Sequence, residues 1–239
     1  MEEYVDFIHR ISYQQAELRI AEGDFTPDGR VYLKVNSDNS FKPFYGDTVV
    51  FDLNARDKAK ISTLIDKLYD SCSECFCNRL DTSTLHMTLH DLSASDNLDN
   101  ISIEVFCNEI KLLSLLKLNP ITTQKIKMKT NFVINMVNTS LVLALIPTDE
   151  GEWDKLQSLY TLIDEVKVCP YPYLTPHITL TYFNREGFDK NSSDKLKEKV
   201  AELNRQSFDI TLCTKNLFYQ KFISMNDYTN VFGLTSQRG

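Results

Sequence analysis

The hydrophobic and polar positions along the chain predict a recurring order of strands and helices. Apolar residues at every second position indicate strands, and apolar residues three or four positions apart indicate helices. An amphipathic pattern over roughly the first 25 residues predicts an opening helix, and residues 30–35 predict a short strand. The elements that follow are strands at 48–53, at His86, at 124–135, 139–146, at His177 and at 208–220, helices at 55–71, 98–117, 150–166 and 192–206, and a last hairpin at 221–234 that turns at Asn226 and Asp227.

This order describes two similar halves, each β-α-β-α-β with its histidine strand in the middle. Thr48 lies 38 residues before His86, and Thr139 lies 38 residues before His177. We therefore expect one bilobal α+β domain over residues 1–239, with antiparallel-type sheets facing a central cleft. Residues 1–44 form an N-terminal helix and extension, which either packs on the body or acts as a lid or substrate-selecting wall. The first half then covers 45–136 and the second 137–239.

Two short strings repeat at matched places in the halves, "TLHMTLHDL" at residues 84–92 and "TPHITLTYF" at 175–183. Side chains at i and i+2 of a strand share a face, so His86 lies beside Thr88 and His177 beside Thr179. A lone histidine here is most simply half-exposed and inert. The chain has only four histidines, and two identical HxTL strings favour a functional pair. A pseudo-twofold relation between the halves would bring the two imidazoles to one small site.

Such a site suits the cleavage of a phosphodiester. An imidazole with a pKa near 6.5 serves as a base when neutral and as an acid when protonated. We expect His86 to be the base and His177 the acid in hydrolysis, although the roles depend on the direction of reaction. The hydroxyls of Thr88 and Thr179 would hold the non-bridging oxygens, and the chemistry requires no metal or cofactor.

The strings "HMTL" and "HITL" resemble the paired H-x-T/S-x signatures of the 2H phosphoesterase superfamily, which includes a LigT-like group of RNA ligases and cyclic phosphodiesterases. The resemblance covers roughly residues 45–236, with the histidines 91 residues apart. It implies a bilobal, metal-independent enzyme that hydrolyses 2′,3′-cyclic phosphates, 2′-5′ linkages or other cyclic nucleotides, with a ligase-like reverse reaction. His86 and His177 would be catalytic, and Thr88 and Thr179 phosphate-binding. The alternative is a non-catalytic protein that binds a nucleotide or RNA end in the same cleft.

Three further residues are candidate substrate contacts: His90 lies on the face of His86, Phe183 lies on the face of His177, and Tyr173 precedes that strand. Strict alternation places Tyr182 on the opposite, core face. Lys125, Lys127 and Lys129 share one strand face and either steer a phosphate or are simply solvated.

The cysteine-rich string "SCSECFC" suggests a zinc alternative, in which Cys72, Cys75 and Cys77 combine with His86 and His90. The spacing C-x-x-C-x-C lacks the second cysteine pair of the usual zinc signatures. We therefore expect these residues to be small, partly buried thiols that end a helix, and we expect no metal.

Composition limits the remaining functions. A formal net charge of −7 argues against extended binding of double-stranded nucleic acid, which needs a basic surface, and leaves a small phosphodiester or an RNA end as partner. Seven glycines and no glycine-rich loop argue against ATP-driven and nicotinamide chemistry. The acidic start, the absence of a long apolar run and six cysteines typical of free thiols predict a cytoplasmic monomer with no membrane partner.

Overall fold

Two four-stranded antiparallel sheets and five α-helices build the fold, in a computed structural model that describes residues 2–17, 20–169 and 173–235. The elements are α1 (Tyr4–Glu17), β1 (Tyr45–Asp52), α2 (Ala55–Cys72), β2 (His86–Ser95), α3 (Ser102–Leu118), β3 (Lys125–Met136), β4 (Ser140–Pro147), α4 (Glu150–Asp164), β5 (His177–Tyr182), α5 (Lys190–Leu203), β6 (Asp209–Cys213), β7 (Leu217–Ser224) and β8 (Asp227–Gly233). The first sheet has the order β2-β1-β7-β8 and the second the order β5-β4-β3-β6. The expected α+β class is confirmed.

The segment at 30–35, which we expected to be a strand, instead begins with a 3₁₀ helix, Gly29–Leu33. Its first turn is capped because the Asp28 side chain accepts a hydrogen bond from the Arg30 N–H. Val31 and Val35 are both fully buried. Their spacing of four residues matches one helical turn, so the apolar residues that suggested a strand serve a helical segment.

The predicted strand at 208–220 is in fact two strands in different sheets. A 3₁₀ turn, Thr214–Asn216, separates β6 of the second sheet from β7 of the first. The Thr214 hydroxyl is buried there and donates to the Thr122 carbonyl, 2.9 Å away. The same stretch of chain therefore crosses between the sheets, and the hairpin of β7 and β8 joins β1.

Each sheet contains strands from both halves of the sequence: β7 and β8 join the first sheet, and β3 joins the second. β3 pairs with β4 through a tight turn in which Val137 and Asn138 have φ values of +45° and +57°. Their positive φ values place them at the centre of a turn in which the Thr139 N–H donates to the Met136 carbonyl at 2.9 Å, and the strands pair from Met136 and Ser140 onward. All strands of the second sheet thus come from residues 125–213. In the first sheet, β1 and β2 are joined by β7 and β8, which come from the C-terminal part of the chain.

One apolar core lies behind both histidine strands. Met87 and Leu89 of β2 and Ile178 and Leu180 of β5 are at most 1% exposed and belong to the same cluster. None of the helices in the described part of the chain has the length and apolar character needed to cross a membrane.

Candidate active site

The two histidine strands lie side by side, each at the edge of its own sheet. β2 pairs only with β1 and β5 only with β4 among the described strands, and β2 and β5 are in contact with each other. We call the sheet face that carries His86 and Thr88, or His177 and Thr179, the cleft face. Burial chiefly lowers the pKa of His86, and the nearby charge of His177 lowers it further. The structure therefore brings the two predicted catalytic residues together.

Both imidazoles are held in the same way. His86 Nδ1 lies 2.7 Å from the Thr84 carbonyl oxygen, and His177 Nδ1 lies 2.7 Å from the Thr175 carbonyl oxygen. A carbonyl only accepts, so each Nδ1 carries the hydrogen and each Nε2 is left with a free lone pair. Neither Nε2 has a hydrogen-bond partner within residues 2–17, 20–169 and 173–235. Two rings of fixed tautomer thus present a titratable nitrogen.

The predicted phosphate-binding threonines accompany the rings. Thr88 and Thr179 are half-buried, and their hydroxyls bond to no residue that the structure describes. In the strand register Thr88 pairs with Val50 and Thr179 pairs with Val142, so each hydroxyl has an apolar side chain as its cross-strand neighbour. Two free donors beside two imidazoles form a site with the chemistry to hold an anion.

His90 is not in the cleft, which corrects our expectation of a substrate contact. A bulge in β2 leaves Leu89 without a partner on β1, because Val49 pairs with His90 and Val50 with Thr88. One extra residue reverses the alternation, so His90 points into the core and is 2% exposed. There its Nε2 lies 3.0 Å from Asp164 Oδ1 and its Nδ1 lies 2.8 Å from the Asp91 carbonyl oxygen.

The same bulge recurs in β5 and corrects the expectations for Tyr182 and Phe183. Leu180 is unpaired, because Leu141 pairs with Thr181 and Val142 with Thr179. Phe183 is consequently fully buried, with its ring centroid 4.6 Å from that of Phe25. Tyr182, which strict alternation assigned to the core face, lies on the cleft face.

The spacing of apolar residues contained a signal for these bulges. The apolar residues that face the core are at 87, 89 and 92 in the first strand and at 178, 180 and 183 in the second. The step from two to three residues breaks the strand period at the same place in both copies. His90 and Thr181 therefore occupy equivalent positions in the repeat, and both serve the core.

Sequence reasoning missed Asp91, which the bulge places on the cleft face opposite Thr48. Burial lowers the pKa of His86, while the Thr84 carbonyl and the carboxylates of Asp91 and Asp52 raise it. The dominant effect is burial, so the pKa of His86 lies below its ordinary value. A histidine of lowered pKa is neutral at neutral pH and can accept a proton.

Two further residues lie near the histidines and come from parts of the sequence far from the motifs. The Tyr228 ring of β8 lies edge-on to His86, with centroids 4.9 Å apart. Lys34, just after the 3₁₀ helix, places its Nζ 5.2 Å from the centre of the Tyr182 ring. Their positions depend on the tertiary path of the chain, and no local pattern marks them.

The lysines of β3 lie on the cleft face of the second sheet. Lys129 of β3 pairs with Ile146 of β4. Ala144 lies two residues before Ile146, on the same face of β4, and it pairs with His177 of β5. Paired residues of antiparallel strands share a face, so Lys125, Lys127 and Lys129 lie on the same side as His177. All three side chains are exposed.

Tyr173 lies outside the motif strand and contacts α1. It is 51% exposed, and the Arg10 guanidinium carbon lies 5.5 Å from its ring centre. Arg10 also donates to the Thr175 hydroxyl at 2.9 Å and to the Leu174 carbonyl at 2.9 Å. Arg10 thus holds the segment before His177, and a substrate contact for Tyr173 stays a prediction. Tyr171, two positions earlier in the sequence, lies outside the described residues.

The three clustered cysteines lie at the end of α2 and just after it, and they are fully buried thiols rather than the partly buried ones expected. Burial raises the pKa of Cys75 and of Cys77 to about 12. Their sulfurs donate to backbone carbonyls, of Ser192 and Asn78 respectively. Within the described part of the chain, no three histidine, cysteine or acidic side chains are grouped to hold a metal ion, so the residues of the zinc alternative are not brought together.

Comparison with solved structures finds matches at low sequence identity. A conserved protein of unknown function from Agrobacterium tumefaciens, ATU0111, superposes with a TM-score of 0.65 at 14% identity, covering 88% of this chain and 94% of that one. LigT from E. coli in its apo form superposes with a TM-score of 0.46 at 16% identity, covering 81% and 99% respectively. No protein-family model and no curated protein matches the sequence. The likeness to ATU0111 shows a shared fold.

Proposed function

We propose that this protein is a phosphodiesterase that hydrolyses a small cyclic phosphodiester, such as a 2′,3′-cyclic phosphate on a nucleotide or RNA end, by two-histidine acid-base catalysis. The observation that carries the proposal is the matched pair of His86 and His177, each with Nδ1 fixed on a backbone carbonyl and Nε2 free. A protein that only binds an anion has less need of two titratable rings in fixed tautomers. The adjacent hydroxyls of Thr88 and Thr179 supply the donors that a phosphate requires.

In the proposed hydrolysis, His86 Nε2 takes a proton from water while the water oxygen attacks the phosphorus. The bond from phosphorus to one ribose oxygen breaks, and that oxygen takes a proton from the protonated Nε2 of His177. Thr88 and Thr179 donate hydrogen bonds to the non-bridging oxygens and keep the phosphorus between the rings. The product is a phosphomonoester, and proton exchange with water restores both histidines.

The assignment of His86 as base is supported by its surroundings. Burial lowers its pKa, so it is neutral over more of the pH range than an exposed histidine. His177 is held by the segment that Arg10 of α1 anchors. The lysines on the cleft face of β3 supply positive charge that would draw an anionic substrate toward the site.

A panel of cyclic phosphodiesters tests the proposal. Nucleoside 2′,3′-cyclic phosphates, 2′-5′ linked dinucleotides and cyclic dinucleotides are incubated with the protein in EDTA, and products are separated by chromatography. The proposal expects hydrolysis of at least one class, lost when Thr88 and Thr179 are both replaced by valine. Thr63→Val, an exposed threonine on α2, is the matched control. Tight binding of these compounds without any turnover would instead favour the nucleotide-binding alternative.

A further inference from the structure

Lys34 holds its ammonium group at the cleft without direct contact to an opposite charge. Its Nζ lies 5.1 Å from the centre of the Phe44 ring and 5.2 Å from that of Tyr182. No side-chain hydrogen bond or ion pair joins Lys34 to another residue that the structure describes. The attraction of aromatic faces for a cation offsets only part of the cost of removing an ammonium from water. An anionic ligand would satisfy the rest.

A continuous row of rings connects this ammonium to the proposed catalytic site. Phe44 stacks on Phe222 with centroids 6.2 Å apart, Phe222 lies 5.4 Å from Tyr228, and Tyr228 lies 4.9 Å from His86. We call Phe44, Tyr182, Phe222 and Tyr228 the aromatic wall. Lys34 therefore belongs to the same cleft as His86, at a distance spanned by these rings.

The charges around Lys34 point to the same cleft. Burial lowers the pKa of Lys34, the carboxylate of Asp91 raises it, and the cation of Arg30 lowers it. Asp91 also raises the pKa of His86, so one carboxylate acts on both groups. Lys58, another cation near the site, is paired with Asp52 at 2.6 Å, whereas Lys125, Lys127 and Lys129 on β3 are exposed to solvent. Lys34 is thus a desolvated cation in the site with its charge available to a ligand.

The chain around Lys34 is firmly held, so the ammonium is positioned in advance of binding. Val31 and Val35 on either side are fully buried. The Lys34 carbonyl accepts from the Lys42 N–H at 2.8 Å, and the Val35 carbonyl accepts from Arg185 Nη1 at 3.1 Å. A ligand that reaches Lys34 does not have to order this segment, which lowers the cost of binding.

We propose that Lys34 and the aromatic wall form a subsite for a second phosphate group of the substrate, distinct from the phosphate that reacts between His86 and His177. The inference rests on the proposed function and specifies its substrate class. The two histidines and two threonines serve the reacting phosphate, so the charge of Lys34 is matched by a phosphate elsewhere on the same molecule. A lysine ammonium is a compact point charge that suits this group.

Two compounds that differ by one phosphate test the subsite: adenosine 2′,3′-cyclic phosphate and the same compound phosphorylated at its 5′ oxygen. Steady-state constants are measured for wild type, Lys34→Met, which keeps an unbranched stem, and Lys34→Arg, which keeps the charge. Lys42→Met is the matched control, since Lys42 belongs to the same extension and donates to the Tyr32 carbonyl. Thermal unfolding confirms that each variant is folded.

We expect the 5′-phosphate to lower KM about tenfold or more in wild type, the size of one charged hydrogen bond. Lys34→Met should abolish this difference and leave KM for the unphosphorylated compound within about threefold. Lys34→Arg and Lys42→Met should preserve most of the difference. Equal effects of Lys34→Met on both compounds, or none on either, would overturn the subsite.

A separate readout distinguishes failure of the subsite from failure of the proposed function. If wild type hydrolyses neither compound, the proposed function fails for this substrate class, and calorimetry then measures binding of the same two compounds to wild type and Lys34→Met. A preference for the 5′-phosphorylated compound that Lys34→Met removes would support the subsite. Equal affinities of wild type for the two compounds would overturn the subsite. Hydrolysis with no dependence on Lys34 would overturn the subsite alone.

Discussion

His90 and Asp164 join the first histidine strand to a helix of the second half, with His90 Nε2 3.0 Å from Asp164 Oδ1. Thr181, at the equivalent bulge of β5, lies 2.7 Å from the Tyr69 hydroxyl of α2. Each bulge thus contacts the helix that precedes the histidine strand of the other half. These two links set the relative position of β2 and β5, and with them the distance between the proposed catalytic histidines.

Replacement of His90 by alanine should lower stability without a specific loss of catalysis. The side chain is fully buried and bonded through both nitrogens, so its removal should cost about 2–4 kcal/mol in the free energy of unfolding. Urea denaturation measures this, with His9→Ala, an exposed histidine on α1, as the control. A large fall in kcat with unchanged stability would show that His90 acts in catalysis.

The hydroxyls of Thr181 and Tyr69 should be energetically coupled. Thr181→Val leaves the Tyr69 hydroxyl without one of its two partners. That hydroxyl keeps its bond to the Cys77 carbonyl at 2.9 Å. We expect a loss of about 1–2 kcal/mol for Thr181→Val. The double variant with Tyr69→Phe should lose less than the sum of the single losses, with a coupling of about 0.5–1 kcal/mol. Strictly additive losses in urea denaturation would contradict the contact.

Much of this arrangement was predictable from the sequence. The periods of apolar residues located α2, α4 and the two histidine strands, and the paired HxTL strings point to the proposed site. The bulges were not predicted, because strict alternation was assumed beyond Leu89 and Leu180. The positions of Lys34 and Tyr228 could not be predicted from local sequence patterns. Tyr228 reaches the site because the chain crosses between the sheets, and Lys34 reaches it because Val31 and Val35 are packed on either side.

Asp91→Asn should shift the acid limb of the pH profile to lower pH. The carboxylate of Asp91 favours the protonated form of His86 and so raises its pKa. Without that charge the pKa of His86 falls further, and the neutral base persists to lower pH. The measurement is kcat/KM against pH on a turned-over cyclic phosphodiester, compared with Asp99→Asn on the exposed turn before α3. A shift toward higher pH would contradict the geometry.

Cysteine alkylation should separate the buried thiols from the exposed one. Burial raises the pKa of Cys72, Cys75 and Cys77, and the thiolate is the reactive form. In native protein at pH 8, iodoacetamide should modify the exposed Cys107 and leave these three unmodified. Mass spectrometry after digestion reads the sites, with urea-unfolded protein as the control. Fast modification of Cys75 or Cys77 in native protein would show that this segment opens.

The central claim is that His86 and His177 act together on one phosphate. The most direct measurement is kcat/KM for a turned-over cyclic phosphodiester in His86→Ala and in His177→Ala, at equal concentrations of folded protein. Each variant should lose about 10²–10⁴-fold, the usual contribution of a positioned acid or base, while its thermal unfolding stays close to that of wild type. Activity near the wild-type value in either variant would contradict the account.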